Sequence, residues 1–280
     1  MDTLLFGTSG IPHAARGLPT QEAIPIIKEL GLSAMELEFV HSINISKEKA
    51  PLVRDAAKKS NIVLTCHAPF FINLNSLEKP KIEASIKRIV DSARITSLCG
   101  GYSVTFHAAF YQKESKETTL RNVKAAMKTI VQKLKDEGID LWVRPETTGK
   151  PSQFGDMDEI LTLSEEIDQV MPCIDFSHFH ARTNGKYNTY EEFASILEGV
   201  EKRLGKKGLH NIHAHVAGIA YGEKGEKHHL NLEESDLRYK DLMKALADFK
   251  VKGVLICESP NIEGDALLMQ KTYKACASRR

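Results

Sequence analysis

The sequence predicts an α/β protein, a single (β/α)8 TIM barrel over residues 1–280, and three observations carry that expectation. Eight short β-branched or apolar runs alternate with segments of helical periodicity. No composition shift or linker divides the chain into domains. Most of the apolar runs end in, or just before, a residue able to hold a metal. An open doubly wound sheet would show the same alternation, but it puts a GxGxxG turn after its first strand, and the sequence there reads GTSGIP.

In order along the chain, the expected strands cover residues 4–9, 34–39, 62–68, 102–107, 141–146, 171–176, 211–216 and 254–258, each bounded by Gly, Pro, Asn or Ser. The expected helices cover 20–30, 47–60, 79–98, 116–137, 156–168, 190–204, 235–249 and 265–276. Each carries apolar residues three and four apart; Ile82, Ile86, Ile89, Val90 and Ala93 form one such stripe.

Composition bounds the function. With 42% hydrophobic and 27% charged residues the chain has material for a sizeable core, and apolar runs such as Val254 to Cys257 fall far short of the roughly 18 residues that span a membrane. A net charge of +1 gives no overall field toward nucleic acid, so any DNA-binding face would have to be local. The five cysteines are odd in number, widely spaced and mostly inside apolar runs, as expected of buried thiols in a reducing compartment. The N-terminus lacks a basic segment before an apolar one, so the expected location is cytoplasmic, and the expected state is a monomer.

The unusual count is histidine, at eleven. Successive strand ends read TCHAPF with His67, VTFHAA with His107, VRPETT with Glu146, CIDFSH with Asp175 and His178, IHAHVAG with His213 and His215, and ICESP with Glu258. The loop after the seventh strand adds GEKHHL, with Glu226, His228 and His229. A parallel barrel brings these ends to one face, so residues about 190 positions apart would share a pocket. A lone His or Glu at a strand end is more often a hydrogen-bonded structural group, but the same placement in successive βα units is not what structural roles alone produce. Imidazole and carboxylate suit zinc, manganese or iron, and about nine ligands exceed the four to six that one ion needs. His213 and His215 would face one side of a strand, one layer apart, and His215 is the one expected to reach the metals. His180 and His229 are expected as supporting or surface groups, His13, His41 and His210 as loop residues, and Glu36 and Glu38 as support or substrate contacts.

The ordered set HAPF, FHAA, PETT, CIDFSH, HVAG, EKHH and CESP resembles the endonuclease IV family, the metal-dependent apurinic/apyrimidinic (AP) endonucleases and their archaeal relatives, over nearly the whole chain. The resemblance implies up to three zinc ions, with manganese an option at one site. His67 and His107 would bind the first, Glu146 would bridge the first and second, Asp175, His215 and Glu258 would complete the second, and His178, Glu226 and His228 would hold the third. It also implies hydrolysis of the phosphodiester 5′ to abasic sites in DNA during base excision repair, with Glu146 and Asp175 as the catalytic carboxylates. Glu226 stands where the family usually has Asp, and Phe70 where it commonly has a Tyr that enters the helix. The segment EFVHSINIS lacks the Arg and aromatic residues that bacterial members push into DNA. Phe70 and Arg182 are the expected substrate contacts, and Lys113, Lys116, Lys186, Lys224 and Lys227 could also meet phosphates.

Two other functions fit parts of the pattern. A xylose isomerase-like sugar isomerase or epimerase would share the fold but use fewer metals, bound mainly by carboxylates with one His. A metal-binding protein without catalysis would fill its coordination shells with protein ligands alone.

Overall fold

The computed structural model describes residues 1–278. Its central sheet has eight parallel strands: β1 (Leu4–Ser9), β2 (Ala34–Glu38), β3 (Val63–His67), β4 (Ser103–Phe106), β5 (Trp142–Pro145), β6 (Cys173–Asp175), β7 (Ile212–Val216) and β8 (Gly253–Cys257). Neighbours pair in the order β5-β4-β3-β2-β1-β8-β7-β6, and bridges from Val143 to Val170 and from Glu146 to Cys173 join the two ends. The sheet is a closed (β/α)8 barrel, as the alternating pattern predicts.

Helices α1 (Thr20–Glu29), α2 (Ala50–Ser60), α3 (Lys79–Leu98), α4 (Lys116–Asp136), α5 (Met157–Glu166), α6 (Phe176–Arg182), α7 (Tyr190–Leu209), α8 (Tyr239–Asp248) and α9 (Glu263–Ala277) follow the strands in turn, with both α6 and α7 between β6 and β7. Capping boxes start two of them: Asp156 accepts from the Glu159 amide at 2.9 Å while Glu159 accepts from the Asp156 amide at 3.0 Å, and Thr189 and Glu192 repeat the device at α7. Among the described residues no helix is long and apolar enough to cross a membrane.

Alternation along each strand sorts the side chains into two cores. Leu4, Phe6, Met35, Leu37, Leu64 and Leu255 point outward and are buried under the helices. Leu5, Ala34, Val63, Val254 and Ile256 form a separate apolar cluster that fills one end of the barrel interior. The next inward positions toward the strand C-termini are polar and fully buried: Glu36, Thr65, Thr105 and His213. Gly253 opens β8 at φ +127°, where a Cβ would stand 2.1 Å from the Ile212 carbonyl oxygen, so only glycine lets β8 meet β7 there.

Three features depart from expectation, the first a short antiparallel pair of Ala109–Phe110 with Gln153–Phe154. Helix α6 follows β6 without a loop, because the Asp175 side chain itself caps it, Oδ1 accepting from the His178 amide at 2.7 Å. Its seven residues are too few for a periodicity to show. The segment expected as a loop after β7 is an antiparallel hairpin, Gly218–Gly222 against Gly225–Leu230. Its second strand, GEKHHL, has no apolar alternation to mark it.

Candidate metal centre

Glu146 lies at the hub of the strand C-termini, 1% exposed. Its Oε2 is 3.2 Å from His67 Nε2, and its Oε1 is 3.5 Å from His107 Nε2, 3.3 Å from His178 Nδ1 and 3.2 Å from His215 Nδ1. The neighbouring Thr147 hydroxyl accepts from the Asp175 amide at 2.8 Å and donates to the Asp175 carbonyl at 3.2 Å, tying the ends of β5 and β6 together.

Three ligand groups abut around this hub. His67, His107 and Glu146 bring one potential donor atom each within 4.8 Å of the others. Glu146, Asp175, His215 and Glu258 form a second group, and His178, His229 and Glu258 a third. Glu226 reaches the third group, its Oε2 3.6 Å from His178 Nε2. Gly149 makes room for it, since a Cβ there would stand 2.5 Å from Glu226 Oε2 and 3.1 Å from His178 Cδ2.

Backbone carbonyls set the proton positions on the rings. A carbonyl only accepts, so a ring nitrogen facing one carries a hydrogen, and the other nitrogen is the one left for a metal. His67 Nδ1 faces the Ala68 carbonyl at 2.7 Å, His178 Nδ1 the Thr147 carbonyl at 3.2 Å, and His229 Nδ1 the Glu258 carbonyl at 3.2 Å. Each Nε2 is thereby directed at the cluster. His178 Nε2 and His229 Nε2 stand 3.4 Å apart, a spacing that a shared proton satisfies and that a metal ion bound by both could replace. Asp175 Oδ2 is buried without a hydrogen bond, again as a ligand atom would be.

The electrostatics point the same way. Burial pushes Asp175 up to about 8; His178 opposes the shift, and the Glu258 and Glu146 carboxylates add to it. Burial and the Glu36 carboxylate likewise push Glu38 up to about 8. Burial works against protonated His67, but Glu146 outweighs it and holds the ring up to about 10. Burial also opposes ionisation of Glu146, and His107 and His215 overcome it, leaving that carboxyl well below its usual range. Asp175 and Glu38 thus retain protons when no cation shares the site while Glu146 does not, and the donor set, nitrogen and oxygen without thiolate in the three groups, fits zinc or manganese.

Of the residues singled out from sequence, His67, His107, Glu146, Asp175, His178, His215, Glu226 and Glu258 converge here. His228 does not. The hairpin pairs Ala220 with His228 but Tyr221 with Glu226, so Lys227 is an extra residue on its strand. This bulge breaks the two-residue alternation. Glu226 and His229 consequently face His178, and His228 is exposed.

Arg182 also differs from expectation. Its Nη1 donates to Thr148 Oγ1 at 2.9 Å and to the Lys150 and Gln153 carbonyls at 2.7 and 2.9 Å, so the guanidinium is committed to the loop after β5. Lys116 is paired with Asp156 at 2.6 Å. Phe70 remains available at 46% exposure, packed at a tilt against Phe71 with a centroid distance of 4.5 Å and met edge-on by His41. His180 is buried away from the ligand groups, its Nε2 3.1 Å from Asp236, which accepts from the Tyr221 hydroxyl of the hairpin at 2.6 Å.

Residues 24–276 match the model of the AP endonuclease 2 family, described as the xylose isomerase-like TIM barrel, and the chain belongs to that family. It is 43% identical over 270 residues to "Uncharacterized protein MJ0133" of Methanocaldococcus jannaschii, covering 96% of this chain and 97% of that one. It is 26% identical over 208 residues to "Probable endonuclease 4" of Mycoplasma pneumoniae, covering 72% and 69% respectively. Among solved structures it superposes on a D-tagatose 3-epimerase-like protein with TM-score 0.75 at 19% identity, over 98% of both chains. Endonuclease IV from Thermus thermophilus superposes with TM-score 0.73 at 18% identity, over 99% of this chain and 100% of that one.

Proposed function

We propose that the protein is a metal-dependent AP endonuclease of base excision repair, hydrolysing the phosphodiester 5′ to abasic sites in DNA. The observation that carries the reading is the run of three adjoining ligand groups, with Glu146 common to the first and second and Glu258 common to the second and third. Divalent ions, zinc foremost with manganese an option at one site, would supply an acidified water and offset charge on the phosphate. His67, His107 and Glu146 would hold the first ion; Glu146, Asp175, His215 and Glu258 the second; His178, His229, Glu258 and Glu226 the third. Glu146 and Asp175 are the proposed catalytic carboxylates, because they sit between groups and can orient an attacking water toward phosphorus. Phe70 and Phe71 offer an exposed apolar face, suited to stacking against bases beside the gap that a missing base leaves.

One observation favours a second reading. The quartet Glu146, Asp175, His215 and Glu258 could by itself hold one ion, three carboxylates with one histidine, and the epimerase-like neighbour has the same fold. A sugar isomerase or epimerase, however, leaves His67, His107, His178 and His229 without work. The test is a labelled duplex with one abasic site beside an undamaged control, run with zinc, with manganese and with chelator. Incision on the 5′ side of the lesion, abolished by chelator, is expected. No incision with any metal, together with turnover of a ketose or aldose, would overturn the nuclease in favour of the isomerase.

A further inference from the structure

We propose that Glu36 is a positioning residue that decides which nitrogen of His215 faces the metal centre, and that His213 is the clamp that holds Glu36 in place. The inference rests on the metal-centre reading above and concerns residues that it leaves without a role. Glu36 lies on β2 with its side chain inside the barrel and no solvent exposure. Its Oε1 is 2.8 Å from His215 Nε2, closer than either oxygen facing the other side of that ring, where Glu146 is 3.2 Å and Glu258 3.5 Å from Nδ1. Its Oε2 accepts from Thr65 Oγ1 at 2.7 Å and lies 3.0 Å from His213 Nε2. His213 is anchored in turn, its Nδ1 3.0 Å from Ser103 Oγ.

The chemistry follows from those distances. A carboxylate oxygen and a bare ring nitrogen repel at 2.8 Å, so His215 Nε2 keeps its hydrogen while Glu36 is an anion. The surroundings of Glu36 suit that anion: Thr65 Oγ1 donates to its Oε2 at 2.7 Å, and two imidazole nitrogens, His215 Nε2 at 2.8 Å and His213 Nε2 at 3.0 Å, face its two oxygens. When a cation takes the place of the proton on Nδ1, the ring therefore presents Nδ1 to Glu146, Asp175 and Glu258 and cannot turn over. A carboxylate behind a ligating imidazole fixes its tautomer and makes it a stronger donor, and removing such a partner typically costs about 10- to 100-fold in metal affinity. Both pairs, Glu36 with Glu38 and His213 with His215, are spaced two apart on strands. The deeper members, Glu36 and His213, together support His215, which lies nearer the mouth.

The test compares metal uptake by the full chain and by Glu36→Gln, with Co2+ as a spectroscopic probe. The amide keeps the size of the side chain but loses the anion. Glu36→Gln is expected to bind one ion about 10- to 100-fold more weakly and to shift the visible Co2+ bands. A role confined to holding the fold would lower thermal stability and leave affinity and bands unchanged, an outcome that overturns the proposal. If Glu36→Gln does not fold, 15N imidazole spectra of the metal-loaded wild type decide instead. His215 should carry its hydrogen on Nε2, and a bare Nε2 overturns the proposal. A wild-type protein that takes up no metal overturns the centre and this inference together, whereas identical uptake by wild type and variant overturns the inference alone.

Discussion

His178 and His229 meet nitrogen to nitrogen, with their Nε2 atoms 3.4 Å apart and both Nδ1 atoms turned to backbone carbonyls. One ring comes from the helix after β6 and the other from a hairpin 51 residues further on. Removing either should empty the third ligand group. His229→Ala is expected to lose one bound ion per chain while His228→Ala, altering an exposed ring, loses none. Elemental analysis of both variants checks this, and equal losses would mean that the bulge does not direct the two histidines as described.

Metal content is the broadest check. Purified without chelator, the protein should carry two to three divalent ions per chain, zinc foremost, since the three ligand groups exceed what one ion can use. A stoichiometry at or below one would remove the cluster.

Glu146→Gln keeps the volume of the hub and deletes its charge. Incision should fall more than about 100-fold, the factor that about 2.7 kcal/mol of lost transition-state stabilisation produces. The metal-free protein should also melt at a lower temperature, because the buried carboxylate is paired with His67, His107, His178 and His215, so the folded state of the variant is confirmed before assay. Near-normal turnover in steady-state assays would exclude a bridging role.

The ion beside Glu226 should leave first under mild chelation. Glu226 stands at 3.6 Å from its nearest ring nitrogen and comes from a hairpin rather than from the barrel wall. Timed chelator titration followed by metal analysis should show one ion lost ahead of the others. Simultaneous release would contradict the ranking.

Metal binding should release protons and tighten as pH rises. In the metal-free protein Asp175 is pushed up to about 8 and His67 to about 10, so both hold protons at neutral pH that an ion must displace. For both groups the folded value lies above the ordinary one, so the stability they contribute without metal is present at low pH and fades as pH rises through 8 and then 10. Calorimetric titration of zinc in two buffers of different ionisation enthalpy measures the proton count. A count of zero near neutral pH would contradict these shifts.

Arg182 should matter to the fold more than to DNA. Arg182→Ala leaves the Thr148 hydroxyl and two carbonyls without their charged donor, and a loss of about 2–3 kcal/mol is expected by urea unfolding. A salt dependence of DNA binding reduced by one phosphate contact, with stability unchanged, would restore the phosphate-binding role.

The barrel was legible from sequence because its signals are periodic and repeated. β1 coincides with residues 4–9 as expected, and α3 with 79–98. The first two ligand groups were legible for the same reason, since a strand end is a defined place. His229 was not, because a bulge at Lys227 has no composition of its own and shifts every later side chain by one face. Arg182 reads as a free cation in the sequence because its partners are backbone carbonyls and hydroxyls, with no acidic residue to announce them. Glu36 and His213 did carry a signal, each two residues before another candidate on the same strand, but their contact across the barrel depends on register between β2 and β7, strands that lie far apart in the chain and do not pair directly.

The apolar cluster of Leu5, Ala34, Val63, Val254 and Ile256 also governs traffic. It stoppers the barrel below the polar layer, so ions, water and substrate exchange with the medium through the same mouth. A duplex lying across that mouth would slow the escape of whatever is beneath it. Saturating abasic DNA should therefore lengthen the lifetime of bound zinc against a chelator, and the centre would be most secure at the moment it is in use.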